Sequence, residues 1–125
     1  MHYRNAVIWE KAMTLAEQAC RLAGNLPAME RFGLRSQLSR AAISVPSNIA
    51  EGWSRESRRE KAQFLAIAQG SLSELHTQLL LGERLGWFKS GSLATTYGLI
   101  DEVSRMLTTL RRKLRADRSP VTERR

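Results

Sequence analysis

Apolar residues recur along this chain at steps of three and four, in four runs separated by short polar, glycine- or proline-bearing stretches. Ile8, Ala12, Leu15, Ala19, Leu22 and Leu26 form the first stripe, with Trp9, Met13, Ala16 and Cys20 beside it. This spacing predicts a helix over 7–23 with a broad apolar face, stopped by Gly24, Asn25 and Pro27. Leu38, Ala42, Val45 and Ile49 mark a second helix over 30–51. Leu65, Ala68, Leu72, Leu75 and Leu79 mark a third over 57–85, and Leu93, Tyr97, Ile100, Val103, Leu107, Leu110 and Leu114 a fourth over 92–115. Ser57-Arg58-Arg59-Glu60 reads as a capping box opening the third helix, and Ser92 as the cap of the fourth. Gly86 is placed to close the third helix. Gly70 and Gly82 lie inside it at about 1 kcal/mol each relative to alanine, which predicts close helix–helix approach at both. No period-two stretch competes. The expectation is an all-α, antiparallel up-down four-helix bundle over 1–115, followed by a disordered charged tail over 116–125.

The second helix is the unusual one. Ser36, Arg40, Ser44, Asn48 and Glu51 recur at helical spacing and form a polar stripe beside the apolar one. Pro46 stands in the helix interior, where it removes a donor and crowds a carbonyl at about 3 kcal/mol. Ser44, Ser47 and Asn48 are placed to bond nearby backbone groups in compensation, and Gly52 reads as the C-terminal stop. The polar stripe is read first as a network that satisfies the backbone around Pro46 or pins a subunit interface; a binding groove is the alternative.

The run from Phe32-Gly33-Leu34-Arg35-Ser36-Gln37-Leu38 into Arg40-Ala41-Ala42-Ile43-Ser44-Val45-Pro46-Ser47-Asn48-Ile49-Ala50-Glu51-Gly52 resembles the bacterial four helix bundle protein family, also called the 23S rRNA-intervening sequence protein family. The block from Phe64-Leu65-Ala66-Ile67-Ala68-Gln69 to Leu79 and the opening Val7-Ile8-Trp9-Glu10-Lys11-Ala12 agree with it, so the resemblance spans Val7 to Leu114. It marks Arg40, Pro46, Asn48, Glu51 and Gly52 as signature residues without giving them a task. A relative, the accessory variability protein of diversity-generating retroelements, looks like a ring-shaped oligomer that binds nucleic acid and a reverse transcriptase. The resemblance therefore implies a homopentameric ring. The family name records where the genes lie and is no evidence of RNA binding.

Charge sharpens this picture. The net charge is +8, and residues 89–115 alone hold six basic and two acidic side chains. A field of this sign suits phosphate-rich partners or an acidic protein surface. The candidate contacts are Arg105, Arg111, Arg112, Lys113 and Arg115 near the end of the fourth helix, and Arg58, Arg59 and Lys61 at the start of the third. The two clusters are expected at opposite ends of the bundle, which argues against one continuous groove in a single subunit. The plainer reading of the helix-four cations is a favourable interaction with the helix dipole, about 0.3–1 kcal/mol each. Trp53, Trp87 and Phe88 are read as caps on the ends of the core, with base stacking as the alternative.

Catalytic chemistry is thin. The histidines are His2 and His76, and the one cysteine, Cys20, lies on an apolar stripe as a small core residue. No metal-ligand spacing, glycine-rich phosphate loop or nucleophile elbow is present, so neither enzyme nor cofactor is expected. Cysteine usage and the charges Glu10, Lys11, Glu17 and Arg21 near the N-terminus fit a cytoplasmic protein rather than a secreted one. The expected function is a non-enzymatic, oligomeric bundle that binds structured RNA or DNA through basic surfaces, as accessory to a partner enzyme. The alternative is a protein-interaction scaffold with no nucleic-acid role.

Overall fold

The computed structural model describes residues 2–30 and 33–116. It is all-α, with four long helices and no strand among the described residues: α1 (Val7–Gly24), α2 (Leu34–Ser54), α3 (Arg58–Arg84) and α4 (Ala94–Ala116). Short 3-10 turns, Tyr3–Asn5 and Ala28–Glu30, precede α1 and α2. Each helix packs on its chain neighbours, and α1 closes the bundle against α4. The cross-helix bonds run in opposed order: Gln69 meets Thr108 while Glu83 meets Tyr97, and Lys11 meets Glu102 while Gln18 meets Thr96. Neighbouring helices are therefore antiparallel.

The core is built from the predicted stripes, although Leu22, Tyr97, Leu110 and Leu114 are only half-buried against it. Leu15, Leu38, Val45, Ile49, Leu72, Leu75, Leu79, Leu93, Val103 and Leu107 are fully enclosed. Thr96 is buried among them and donates to Gln18 Oε1 at 3.0 Å, which satisfies its hydroxyl. Ser57 caps α3 as expected, accepting from the Glu60 N–H at 3.1 Å. The C-terminus of α3 is a Schellman motif. Gly86 sits at φ +76°, its N–H reaches the Glu83 carbonyl (3.0 Å) and the Trp87 N–H reaches the Gly82 carbonyl (2.9 Å).

Several expectations need correction. α2 begins at Leu34 rather than near residue 30, because Ala28–Glu30 forms a separate 3-10 turn. Gly52 does not end α2. The helix runs on to Ser54, and Gly52 is buried where a Cβ would lie 3.1 Å from Phe64 Cβ and 3.3 Å from the Lys61 carbonyl oxygen. A side chain here would press on α3, which would have to give by a few tenths of an ångström. Neither Gly70 nor Gly82 marks the expected helix–helix approach: a Cβ at Gly82 would lie 2.5 Å from the ring of Phe88, which belongs to the loop after α3, and nothing lies within 4 Å of such an atom at Gly70. The Ser92 hydroxyl donates to the Lys89 carbonyl at 2.7 Å, bracing the turn before α4. Ala116 belongs to α4, and the remainder of the expected tail, 117–125, lies outside the described residues.

Candidate nucleic-acid interface

The antiparallel packing brings the start of α1, the end of α2, the start of α3 and the end of α4 to one end of the bundle. Lys61 Nζ donates to the Trp53 carbonyl at 3.1 Å, tying α3 to the last turn of α2. Lys61 also shares a cavity of about 220 Å³ with Leu110 and Leu114 of α4. A second cavity, about 450 Å³, lies between Asn5–Ile8 and the α4 residues Arg105 to Lys113. The two basic clusters therefore share an end, contrary to the expectation from sequence. In an up-down bundle the start of one helix stands beside the end of the next, so the N-terminus of α3 must neighbour the C-terminus of α4.

This placement segregates charge. Residues 1–15, 44–71 and 105–116, the half containing that end, hold eleven basic and four acidic side chains, a net of +7. The described residues of the other half, 16–30, 33–43 and 72–104, hold five basic and six acidic side chains, close to neutral. An excess of which half lies in residues 89–115 and the rest thinly elsewhere in sequence becomes a one-sided field in space, the footprint that a polyanion responds to.

The individual cations differ. Arg112, Lys113 and Arg115 are exposed, with no ion-pair partner among the described residues. Arg59 is equally exposed. Arg105 pairs with Asp101 at 2.7 Å, both well solvated, an exposed i,i+4 contact of small net stability. Arg111 is half-buried. Its Nη1 donates to Gln69 Oε1 at 2.7 Å while Gln69 Nε2 donates to Thr108 Oγ1 at 2.9 Å, so this side chain locks α3 to α4. Arg58 is exposed at the first position of α3. Sequence reasoning missed Arg55. Its guanidinium pairs with Glu51 at 2.9 Å and lies 4.8 Å from the Phe64 ring centroid, adding a held cation to the same end.

The polar stripe of α2 splits into two kinds of residue. Ser44 and Asn48 are half-buried. Ser44 Oγ meets Ser71 Oγ at 2.7 Å, and Asn48 Nδ2 donates to both the carbonyl and the hydroxyl of Ser44 (2.8 and 2.9 Å). Ser47 Oγ donates to the Ile43 carbonyl at 2.8 Å. These back-bonds flank the turn in which Pro46 withholds its donor, and α2 stays helical through it. Ser36 is half-buried, whereas Arg40 and Glu51 are exposed and do not join this network. Pro46 itself is buried in the helix but lines a groove between α1 and α2 of about 630 Å³, with Trp9, Met13, Cys20, Ile43 and Ala50. Met13 and Ile43 are 42% and 53% exposed there, so the second apolar stripe of α1 is only partly covered.

A family model describing the 23S rRNA-intervening sequence protein matches residues 4–109. The chain belongs to that family. A search of curated proteins finds no match. The match covers all of α1, α2 and α3 and most of α4, and stops short of Arg111, Arg112, Lys113 and Arg115. The exposed cations Arg112, Lys113 and Arg115 thus lie beyond the matched span, whereas Arg58, Arg59 and Arg105 lie within it. Among the described residues no group of three or more histidine, cysteine, aspartate or glutamate side chains could hold a metal ion. No described helix is long and apolar enough to cross a membrane.

Proposed function

We propose that this bundle is a non-enzymatic nucleic-acid-binding protein that engages RNA or DNA through its basic end, as a homo-oligomer serving a partner enzyme. The observation that carries the reading is the segregation of charge, with a net +7 on one half of the bundle and the described residues of the other close to neutral. Several of these cations are exposed and free to meet phosphate, and arginine presents a planar fork that matches it. A ring of copies, the homopentamer implied by resemblance to relatives, would repeat the basic end around an axis and multiply the number of phosphates neutralised. A second reading, a protein-interaction scaffold, is favoured by the half-covered α1–α2 groove. Both readings accept assembly through that groove; only the first requires nucleic acid.

The test is fluorescence anisotropy of a labelled RNA hairpin and a DNA duplex at several salt concentrations, with the mass of the protein measured in the same buffers. Binding that weakens steeply with salt supports the first reading, since log K falls by about 0.9 per phosphate neutralised on duplex DNA. A well-formed oligomer that binds neither probe at low salt leaves the scaffold.

A further inference from the structure

Trp53 stands on the last turn of α2 in the middle of the basic end. Its indole is half-buried against the core, as expected of a cap, but it is not sealed in. Trp53 and Leu110 line both the 450 Å³ cavity and the 220 Å³ cavity, so together they partition two open slots. Each slot is many times the ~30 Å³ that a water molecule occupies in the liquid. The larger slot is apolar inside, with Val7, Ile8 and Met106, and it is bordered by Arg105 and Lys113. Val7 is 62% exposed at its lip. Lys61 borders the smaller slot while its ammonium holds the Trp53 backbone.

An apolar slot walled by an indole and edged by cations is matched by a ligand with a flat aromatic body and an anionic linkage. We propose that the larger Trp53 slot takes an unpaired nucleobase of a single-stranded segment, with Lys113 and Arg105 meeting the flanking phosphates. The inference rests on the reading of the basic end as a nucleic-acid surface and deepens it. The net +7 of this half suits a polyanion better than a lone carboxylate. A base inside a duplex is stacked on both faces and cannot enter; one in a loop or a single strand can be splayed out onto an aromatic side chain. The exposed Arg105–Asp101 pair is weak enough to exchange its partner for phosphate.

The experiment uses the full chain with two labelled probes of equal length, a single-stranded oligoribonucleotide and a fully paired duplex. Two variants are compared with the parent: Trp53→Leu, which removes the flat face, and Thr109→Phe, which fills the slot from an exposed position without altering charge. Thr109→Phe disturbs no core residue, so its folding is expected to be intact, and circular dichroism checks both variants. Each is expected to raise the Kd for the single strand roughly tenfold, within the range of one lost base–aromatic stack, and to leave duplex binding unchanged. If Thr109→Phe binds both probes as the parent does, or weakens both equally, the slot does not take a base although the basic end still binds. If the parent binds neither probe, the reading of the basic end fails, and this inference with it.

Discussion

Replacing Arg112, Lys113 and Arg115 together by glutamine tests the basic end at its least encumbered cations. All three are exposed on the last turns of α4, with no ion-pair partner among the described residues. Their removal should leave the fold intact. Arg111 is deliberately kept, because its 2.7 Å bond to Gln69 joins α3 to α4 and its loss would mix stability with binding. If each of the three neutralises one phosphate of duplex DNA, together they account for about 2.7 in the slope of log K against log salt. Across a fourfold rise from about 50 to 200 mM salt, that slope amounts to roughly 40-fold in affinity. The parent should therefore lose about 40-fold more affinity than the triple variant over this interval, and the two curves should converge at high salt. Arg40→Gln, Arg84→Gln and Lys89→Gln together form the control. That variant loses the same charge from exposed residues in the near-neutral half, and its slope should match the parent's. Anisotropy titrations at four or more salt concentrations supply the slopes. An unchanged slope in the α4 variant, or an equal drop in the control, would refute the idea that one end of the bundle carries the contacts.

The glycines of α3 should respond in opposite directions. Gly82→Ala forces a Cβ to 2.5 Å from the Phe88 ring and is expected to destabilise by about 1–3 kcal/mol, whereas Gly70→Ala meets nothing within 4 Å and should stabilise by up to about 1 kcal/mol, both read by urea denaturation. Asn48→Ala removes the donor to the Ser44 carbonyl and hydroxyl beside Pro46 and should lower stability by about 1–2 kcal/mol; an unperturbed melting temperature would show that the network is dispensable. Burial, followed by the hydrogen bond and negative charge of Glu83, pushes Tyr97 up to about 12, so the folded state keeps a proton that the unfolded chain gives up near 10. Stability should thus be fully present below pH 10 and fall as pH rises towards 12. Tyr97→Phe should flatten that decline and remove the component near 12 from an ultraviolet tyrosinate titration.

The four helices and their buried stripes were legible in the sequence because helical periodicity is a local property, sustained here by leucine, isoleucine and alanine at every third or fourth position. The capping serine Ser57 and the closing Gly86 were legible for the same reason: each acts within a few residues of its own place in the chain. Membership of the family was also visible, in the block around Pro46 and the one around Gln69. The role of a given side chain was not. Ser44 and Asn48 share one polar stripe in sequence with Arg40 and Glu51, yet only the first two are half-buried, with Ser44 bonded across to Ser71 of α3 and Asn48 bonded to Ser44, because burial depends on where the neighbouring helix crosses. Gly52 looked like a helix end and Gly70 like a packing glycine; contact with Phe64 at the one and open space at the other reversed both. Arg111 and Arg112 are adjacent and chemically identical, but one is spent on Gln69 and the other faces solvent. Most consequential is the meeting of the two basic clusters. Composition located the positive excess in the last helix and the sequence marked a second basic cluster at the start of α3; the up-down order already sets those two ends together, so the expectation of opposite ends was inconsistent with the predicted topology. Antiparallel packing of α3 on α4, driven by burial of their leucine stripes, is what sets the clusters side by side and leaves the opposite half of the bundle close to neutral.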